Sequence, residues 1–434
     1  MKKKKKEIES KKIQMNKDIE ENIKLKNENE KLIIINLELE NEIKEKQNKL
    51  EKINNSIESD PLLDYKIPTL IGLNNIGATC FMNSTLQCLS QTEPLTKYFL
   101  GKKIIHKIFD NNKDENNLKL SRVYFELIQN LWNKNGQKSF SPNNFMKVVE
   151  DMNPLFKVGQ AGDSKDFIIF ILERLHKELK YTIKSNLNQI NAKQNLNQYD
   201  KKNAFNYFFE DFKKQCSPIS DIFFGFTETS NECLFCKNVY NLQNVKNPIC
   251  YNYGIFNCLI FPLEEVRTFK NNSLFYNNIM QMNQNNCVSL NDCFLYNQKT
   301  DLFTGQNRNY CNICKQLADS NYTSLIFSSP NILILILNRG KGNIYDVKLD
   351  FSERIDLTNF VLKKDKTKLI YNLYGVITHI GQSGPNAHFV ASCKSPIDKK
   401  WYRYNDSIVN LINDIKKEII DFGVPYILFY QKEN

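Results

Sequence analysis

The chain reads as an α+β protein in which a charged helical segment is followed by a helix-rich and then a strand-rich half. Three observations predict this. Residues 1–58 contain no Pro, Gly, Cys or aromatic residue. From Thr79 to about Leu179, apolar residues recur at helical spacing. From Ile219 onward, short runs of β-branched and aromatic residues take over, and Ile332–Leu337, Leu373–Ile377, Phe389–Cys393 and Tyr426–Tyr430 read as strands.

The first segment ends in heptads. Leu32, Leu39 and Ile53 share one seam with Lys46, and Ile43, Leu50 and Ile57 share the other with Asn36. This predicts a coiled coil, with a partner or a homodimer contact through residues 30–58. A charged helical extension that pairs with nothing is the alternative. Pro61 ends the segment, and from Pro68 Gly, Cys and aromatics run throughout. The expected organisation is an extension over 1–60 and one domain over 69–434, with no second linker. The Asn-, Gln- and Lys-rich patch at about 185–203 reads as a surface insertion within that domain.

Composition excludes several classes. Of 434 residues, 41% are hydrophobic and 12% aromatic, including 29 Phe and 20 Tyr, enough for a sizeable core and too apolar for a disordered chain. The longest aliphatic run, Ile332–Leu337, falls far short of the ~20 residues that span a bilayer. No apolar stretch follows Lys2–Lys6, so neither a secretory signal nor a membrane partner is expected, and the chain is placed inside the cell, in cytoplasm or nucleus. The net charge of +11 suggests nucleic acid, but residues 1–58 hold 15 Lys against 13 acids and the remaining excess is spread thinly. No nucleic-acid partner is expected. Twelve cysteines are too few for a disulfide scaffold, and four of them form two Cys-x-x-Cys pairs that point to metal.

The stretch Gly72-Leu-Asn-Asn-Ile-Gly-Ala-Thr-Cys80-Phe-Met-Asn-Ser84 carries the sharpest chemical signal. Two glycines permit a tight backbone path, and Thr79 is placed to cap a helix that Cys80 opens. A cysteine at a helix N-terminus meets the positive end of the dipole, which favours its thiolate. The Asn75 amide is near enough to donate to an oxyanion. A buried structural cysteine after a turn is the competing reading of this stretch alone.

A cysteine nucleophile needs a base, and the chain has only four histidines: His106, His176, His379 and His388. His106 lies in a charged stretch and His176 on an amphipathic helix. His388 starts a strand after the loop 380–387 with its glycines and proline, which would hold the ring rigidly. Asn405 and Asp406 follow in a turn after the aromatic strand Trp401–Tyr404, where an amide or carboxylate orients an imidazole. The long separation from Cys80 departs from the spacing in papain itself. Cys233-x-x-Cys236 and Cys311-x-x-Cys314, 74 residues apart, are two chelating knuckles suited to tetrahedral Zn2+, given a long insertion between them.

Together these stretches resemble the ubiquitin-specific protease family, the papain-like cysteine deubiquitinases, in an ordered set covering residues 69–434. Gly72 to Gln87 is similar to the family's Cys box, and Gln160 to Phe167 with Leu175–Leu179 to its second block. Ile219 to Cys236, and Ser289–Phe294 with Tyr310–Lys315, match the two zinc knuckles. Tyr374–Gly381 with His388–Ala391 is similar to the His box, and Trp401–Asp406 and Pro425–Tyr430 to the closing strands. The resemblance implies a papain-like fold of thumb (about 70–216), fingers with a zinc ribbon (about 217–330) and palm (about 331–434). It implies a thiol-dependent isopeptidase cleaving after the C-terminal glycine of ubiquitin. Cys80 would be the nucleophile, His388 the base, Asn405 its orienter, Asp406 a helper of that task or of the oxyanion pocket, and Asn75 an oxyanion donor. Asp163 and Asp166 would pair with arginine in the ubiquitin tail, and residues 381–387 would form a loop that orders on substrate. One structural Zn2+ and no organic cofactor are implied. Ala161-Gly162 before Asp163, Phe389 after His388 and the missing Phe after Arg339 depart from the family's pattern. A ubiquitin-binding pseudoenzyme, a coiled-coil scaffold or a protease for another ubiquitin-like modifier remain as alternatives.

Overall fold

Ile332–Asn338, an unbroken aliphatic strand, shows how the main domain is built. Its isoleucines 332, 334 and 336 enter one hydrophobic core while Leu333, Leu335 and Leu337 enter another. A strand buried on both faces has no use for polar alternation, so the run is continuous. The computed structural model describes residues 60–102, 104–105, 118–181, 197–240, 249–276, 287–339, 347–363, 368–381 and 387–433. The expected extension 1–59 with its heptads, His106, most of the Asn/Gln-rich patch and the middle of loop 381–387 lie outside the described residues.

The strand belongs to an eight-stranded sheet ordered 408–412, 401–405, 388–394, 370–380, 424–432, 332–338, 259–262, with Arg354–Asp356 also pairing to Ile370–Ile380. The four strands read from the sequence all lie in it, as Ile332–Asn338, Ile370–Ile380, His388–Lys394 and Val424–Lys432. On one face helix Cys80–Ser90 packs directly, Ser164–Glu178 packs on that helix and Lys119–Leu131 on Ser164–Glu178, all within one core. A second, four-stranded sheet is ordered 249–256, 225–233, 320–328, 300–303. The helix Lys201–Phe212 packs against it through Phe205, Phe208, Phe209 and Phe212, which meet Phe226, Tyr253 and Phe327.

The half read as strand-rich also contains helices Leu263–Tyr276, Leu290–Asn297 and Ile415–Phe422. Leu263, Val266, Leu290, Phe294, Ile415 and Ile419 close the second core with them. One of them starts at a reciprocal capping box between Ser289 and Asp292. Among the described residues, no helix is long and apolar enough to cross a membrane.

Candidate active site

Helix Cys80–Ser90 is buried over its whole length although five of its residues carry polar side chains. Each of those side chains makes a hydrogen bond within the protein: the Thr85 hydroxyl, for example, donates to Phe81 O at 2.8 Å, and Gln87 Nε2 to Ile71 O at 3.0 Å. The helix is therefore wedged between the large sheet and the other helices, packing on strand His388–Lys394; Cys88 and Cys393 touch at 3.5 Å between their sulfurs.

The approach to Cys80 is a folded loop. Gly77 has φ +121° and Ala78 φ +54°, so two successive residues are left-handed. A side chain at Gly77 would also press on Val158 Cγ1 at 3.0 Å. Thr79 occupies the N-cap position but gives no side-chain cap; its hydroxyl instead accepts from Ile76 N–H at 3.1 Å. Asn75 Oδ1 organises the loop, accepting from the N–H groups of Gly77 (3.2 Å) and Thr79 (3.1 Å). Cys80 thus opens the helix, buried, beside the Asn75 amide.

The base arrives through sheet register. Ala391 pairs with Tyr404, so continuing the ladder sets Asn405 opposite Val390 and makes His388 its diagonal neighbour on the same face. His388 Nε2 lies 2.7 Å from Asn405 Oδ1, an oxygen that only accepts, so this nitrogen carries the proton. Nδ1 is left for Cys80. The hydrogen bond with Cys80 is the chief cause that pushes the imidazole up to about 9; burial opposes it, and Asn405 and the charges of Cys80 and Asp406 add to it.

Asp406, at φ +49° in the tight turn between strands 401–405 and 408–412, points elsewhere. Its Oδ2 accepts from Asn75 Nδ2 at 3.1 Å and its Oδ1 from Asn83 Nδ2 at 2.8 Å. Of the two roles open to it, direct orientation of His388 has no hydrogen bond behind it, while support of Asn75 has one. Asn83 carried no expectation, although its place three residues past Cys80 put it on the same helical turn.

Asn75, Cys80 and His388 line a cleft of about 620 Å³ with Ala78, Leu155, Phe156, Ala161, Gly162, Asp163, Asp166, His379, Ala387 and Phe389. Asp163 is the N-cap of Ser164–Glu178, its Oδ1 accepting from Lys165 N–H at 2.8 Å, while Oδ2 accepts from the Tyr426 hydroxyl at 2.8 Å. No sequence signal pointed to Tyr426. Asp166 is largely exposed and lies 3.7 Å from Lys165 Nζ. Gly162 is required by contact: a Cβ there would sit 2.7 Å from the Phe81 ring. The other described histidines are held differently. His379 packs edge-on against Phe389 at 5.0 Å and its pKa is lowered by burial, with Asp163 opposing and Arg339 reinforcing. His176 Nδ1 lies 2.7 Å from Ser217 Oγ, and burial with nearby Lys180 lowers it to about 4.

A second constellation lies beside the four-stranded sheet. Ser320 pairs with Cys233 at the strand end, and the hairpin of 309–311 with 316–318 carries the other knuckle back to it. Cys233 and Cys314 sulfurs lie 3.9 Å apart, those of Cys236 and Cys311 3.7 Å, and all four fall within 4.8 Å of one another. An ion bound tetrahedrally at about 2.3 Å has ligand–ligand edges of about 3.8 Å, so the quartet has the dimensions to hold a metal.

Residues 71–430 match the ubiquitin carboxyl-terminal hydrolase family, and the chain belongs to it. It is 26% identical over 393 residues to probable ubiquitin carboxyl-terminal hydrolase 4 of Schizosaccharomyces pombe, covering 86% of this chain and 60% of that protein. It is 28% identical over 374 residues to ubiquitin carboxyl-terminal hydrolase 2 of Bos taurus, covering 83% and 55%. The chain thus spans a little over half the length of these relatives. Among solved structures it is similar to the SAGA Ubp8/Sgf11/Sus1/Sgf73 DUB module bound to ubiquitin aldehyde, with TM-score 0.59, 19% identity and coverage of 85% and 70%. A further structure of the Ubp8-Sgf11-Sgf73-Sus1 SAGA DUB module gives TM-score 0.55, 21% identity and coverage of 84% and 68%. Both establish a shared fold of mixed helix and sheet.

Proposed function

We propose that the chain is a thiol-dependent isopeptidase that hydrolyses the bond after the C-terminal glycine of ubiquitin, on protein lysines or within ubiquitin chains. One observation carries the reading above the rest: His388 is held between Cys80 and Asn405, Nε2 lying 2.7 Å from Asn405 Oδ1, and its hydrogen bond with Cys80 raises the imidazole to about 9. A cysteine paired with a protonated imidazole is a thiolate nucleophile. The name the relatives carry, ubiquitin carboxyl-terminal hydrolase, and the ubiquitin aldehyde bound to a structural neighbour point to the same substrate.

Cys80 Sγ attacks the glycine carbonyl carbon, and the oxyanion is taken up by Asn75 Nδ2–H and the Cys80 backbone N–H. As the tetrahedral centre collapses, the C–N bond breaks and His388 gives its proton to the departing lysine amine. Water, deprotonated by His388, then adds to the thioester, releasing the ubiquitin carboxylate and the Cys80 thiol. Asn405 keeps Nε2 protonated and Nδ1 turned to sulfur. Asp163 and Asp166 meet arginine of the ubiquitin tail. Tyr426 orients the first of these, while the second is exposed beside Lys165.

The domain divides into thumb (about 70–216), fingers (217–330) and palm (331–434), following 1–60. Cys233, Cys236, Cys311 and Cys314 hold one structural Zn2+, whose preference for four thiolates suits the observed sulfur spacing. Twelve cysteines without a disulfide suit a reducing, intracellular compartment, cytoplasmic or nuclear. Residues 30–58 recruit a coiled-coil partner or a second copy.

The test is an intact-mass measurement after incubation with ubiquitin bearing a C-terminal thiol-reactive group, beside Cys80→Ala and His388→Ala. Addition of one ubiquitin, lost in Cys80→Ala, is the expected result. A folded, metal-loaded chain that takes up no ubiquitin would refute the reading and turn attention to other modifiers or a binding-only role.

A further inference from the structure

We infer that Asn83 is a positioning residue for the oxyanion donor Asn75, acting through the Asp406 carboxylate; the inference rests on the protease reading above. Asn83 stands one helical turn beyond Cys80 and is 2% exposed. Its Nδ2 donates to Asp406 Oδ1 at 2.8 Å and reaches Leu73 O and Asn74 O at 3.3 Å each. All three acceptors belong to the segments that present the active site: the chain leading into Asn75, and the turn after Asn405. Rotating the amide by half a turn would set its oxygen against Asp406 Oδ1 with no proton between them, so the orientation is fixed. Among the described residues Asn83 Oδ1 has no partner, which leaves donation by Nδ2 as the side chain's hydrogen-bonding role in this buried position.

The relay from Asn83 to Asn75 is short. Asp406 receives Asn83 on one oxygen and Asn75 Nδ2 on the other. Asp406 O also accepts from Leu73 N–H at 2.9 Å, so backbone and side chain of the turn grip the same strand. Asn75 is then held at both ends of its amide, its oxygen by Gly77 and Thr79 N–H and its nitrogen by Asp406, leaving one Nδ2 hydrogen for the cleft. Without Asn83 the carboxylate loses its buried donor and is free to rotate, and Asn75 moves with it. Displacing a preorganised donor costs rate in the transition state more than it costs substrate binding.

The experiment measures kcat and KM on ubiquitin carrying a C-terminal fluorogenic amide, for wild type, Asn83→Ala, the uncharged, similarly sized Asn83→Leu, Asn75→Ala and the Asn75→Ala/Asn83→Ala pair. Alkylation of Cys80 by iodoacetamide across pH is read in parallel, because it requires the thiolate and makes no oxyanion. Both Asn83 variants are expected to lose about tenfold or more in kcat with KM within about threefold, and to keep the wild-type alkylation profile. In the Asn75→Ala background, losing Asn83 is expected to cost less than about twofold further. Additive losses, an equally displaced alkylation profile, or unfolding of both Asn83 variants would make it a structural residue and overturn the assignment. A wild-type chain without turnover would sink the protease reading itself, whereas additivity in an active chain sinks only the role of Asn83.

Discussion

Asn405→Ala tests whether the sheet register or the nucleophile loop governs the base. The bond it removes is 2.7 Å long, partly buried, and charge-assisted whenever His388 is protonated. Hydrogen bonds of that kind contribute about 1.5–3 kcal/mol, so kcat should fall by about 10- to 150-fold as the ring loses its fixed tautomer. The pH effect is smaller, because neutral His388 also donates from Nε2 to Asn405. Only the difference between a charged and a neutral bond, about 1 kcal/mol, enters the pKa, which moves down by something under one unit from about 9. The sign follows from the raised value. Below about 9 His388 holds the proton the leaving amine needs, and turnover declines as pH rises through it. The assay is kcat/KM on a fluorogenic ubiquitin amide from pH 6 to 10, with iodoacetamide alkylation of Cys80 alongside. The alkaline limb should shift down in Asn405→Ala and up in Asn405→Asp, whose carboxylate holds the imidazolium more tightly, while alkylation shows no alkaline decline. A less than twofold loss in Asn405→Ala, or a downward shift in Asn405→Asp, would refute the reasoning.

Two further outcomes are expected. Metal analysis of the purified chain should find one Zn2+, lost in both Cys233→Ser and Cys311→Ser with a lower melting temperature; one Zn2+ retained in both variants would disprove a shared site. Gly162→Ala forces a Cβ to within 2.7 Å of the Phe81 ring, next to the nucleophile. It should cost about 1–3 kcal/mol of stability by denaturant titration, largely recovered when Phe81→Leu makes room, and an unchanged midpoint would contradict the packing.

Much of the site was legible because its chemistry uses rare residues. Four histidines and one cysteine in a glycine-bounded, cap-like stretch narrowed the candidates, and the family resemblance then singled out Cys80 and His388, which the structure brings to one cleft. The two knuckles were legible for the same reason, although their meeting depends on pairing of Ser320 with Cys233, which spacing does not encode. Spacing alone left Asn405 and Asp406 alike, since adjacent polar residues in a turn look alike, and only the family resemblance gave the orienting role to Asn405. Register separates them, by setting Asn405 diagonal to His388 and sending Asp406 to the other side of the turn. The helices at 263–276, 290–297 and 415–422 went unread because each is a short amphipathic piece among strands and its apolar face matters only once a sheet is there to cover.

Asn83 marks the limit more sharply. A polar residue on a helix is ordinarily read as facing water, and by that rule Asn83, Ser84, Thr85 and Gln87 would form the wet face of Cys80–Ser90. All four are buried instead. Burial of so many polar groups is tolerable only where their donors find partners, and the partners here lie in the helix itself at Phe81 O, in the chain before it at Ile71 O and on the turn after Asn405. The helix that carries the nucleophile is therefore fastened to its surroundings by directional bonds as well as by packing. Apolar packing alone would leave a helix free to slide or turn by fractions of an ångström, whereas attack on a carbonyl needs sulfur, imidazole and amide donor fixed together. The Asp406 carboxylate meets that need from one residue: it fixes the amide of Asn75, fastens the helix through Asn83, and adds its charge to the field that keeps His388 protonated.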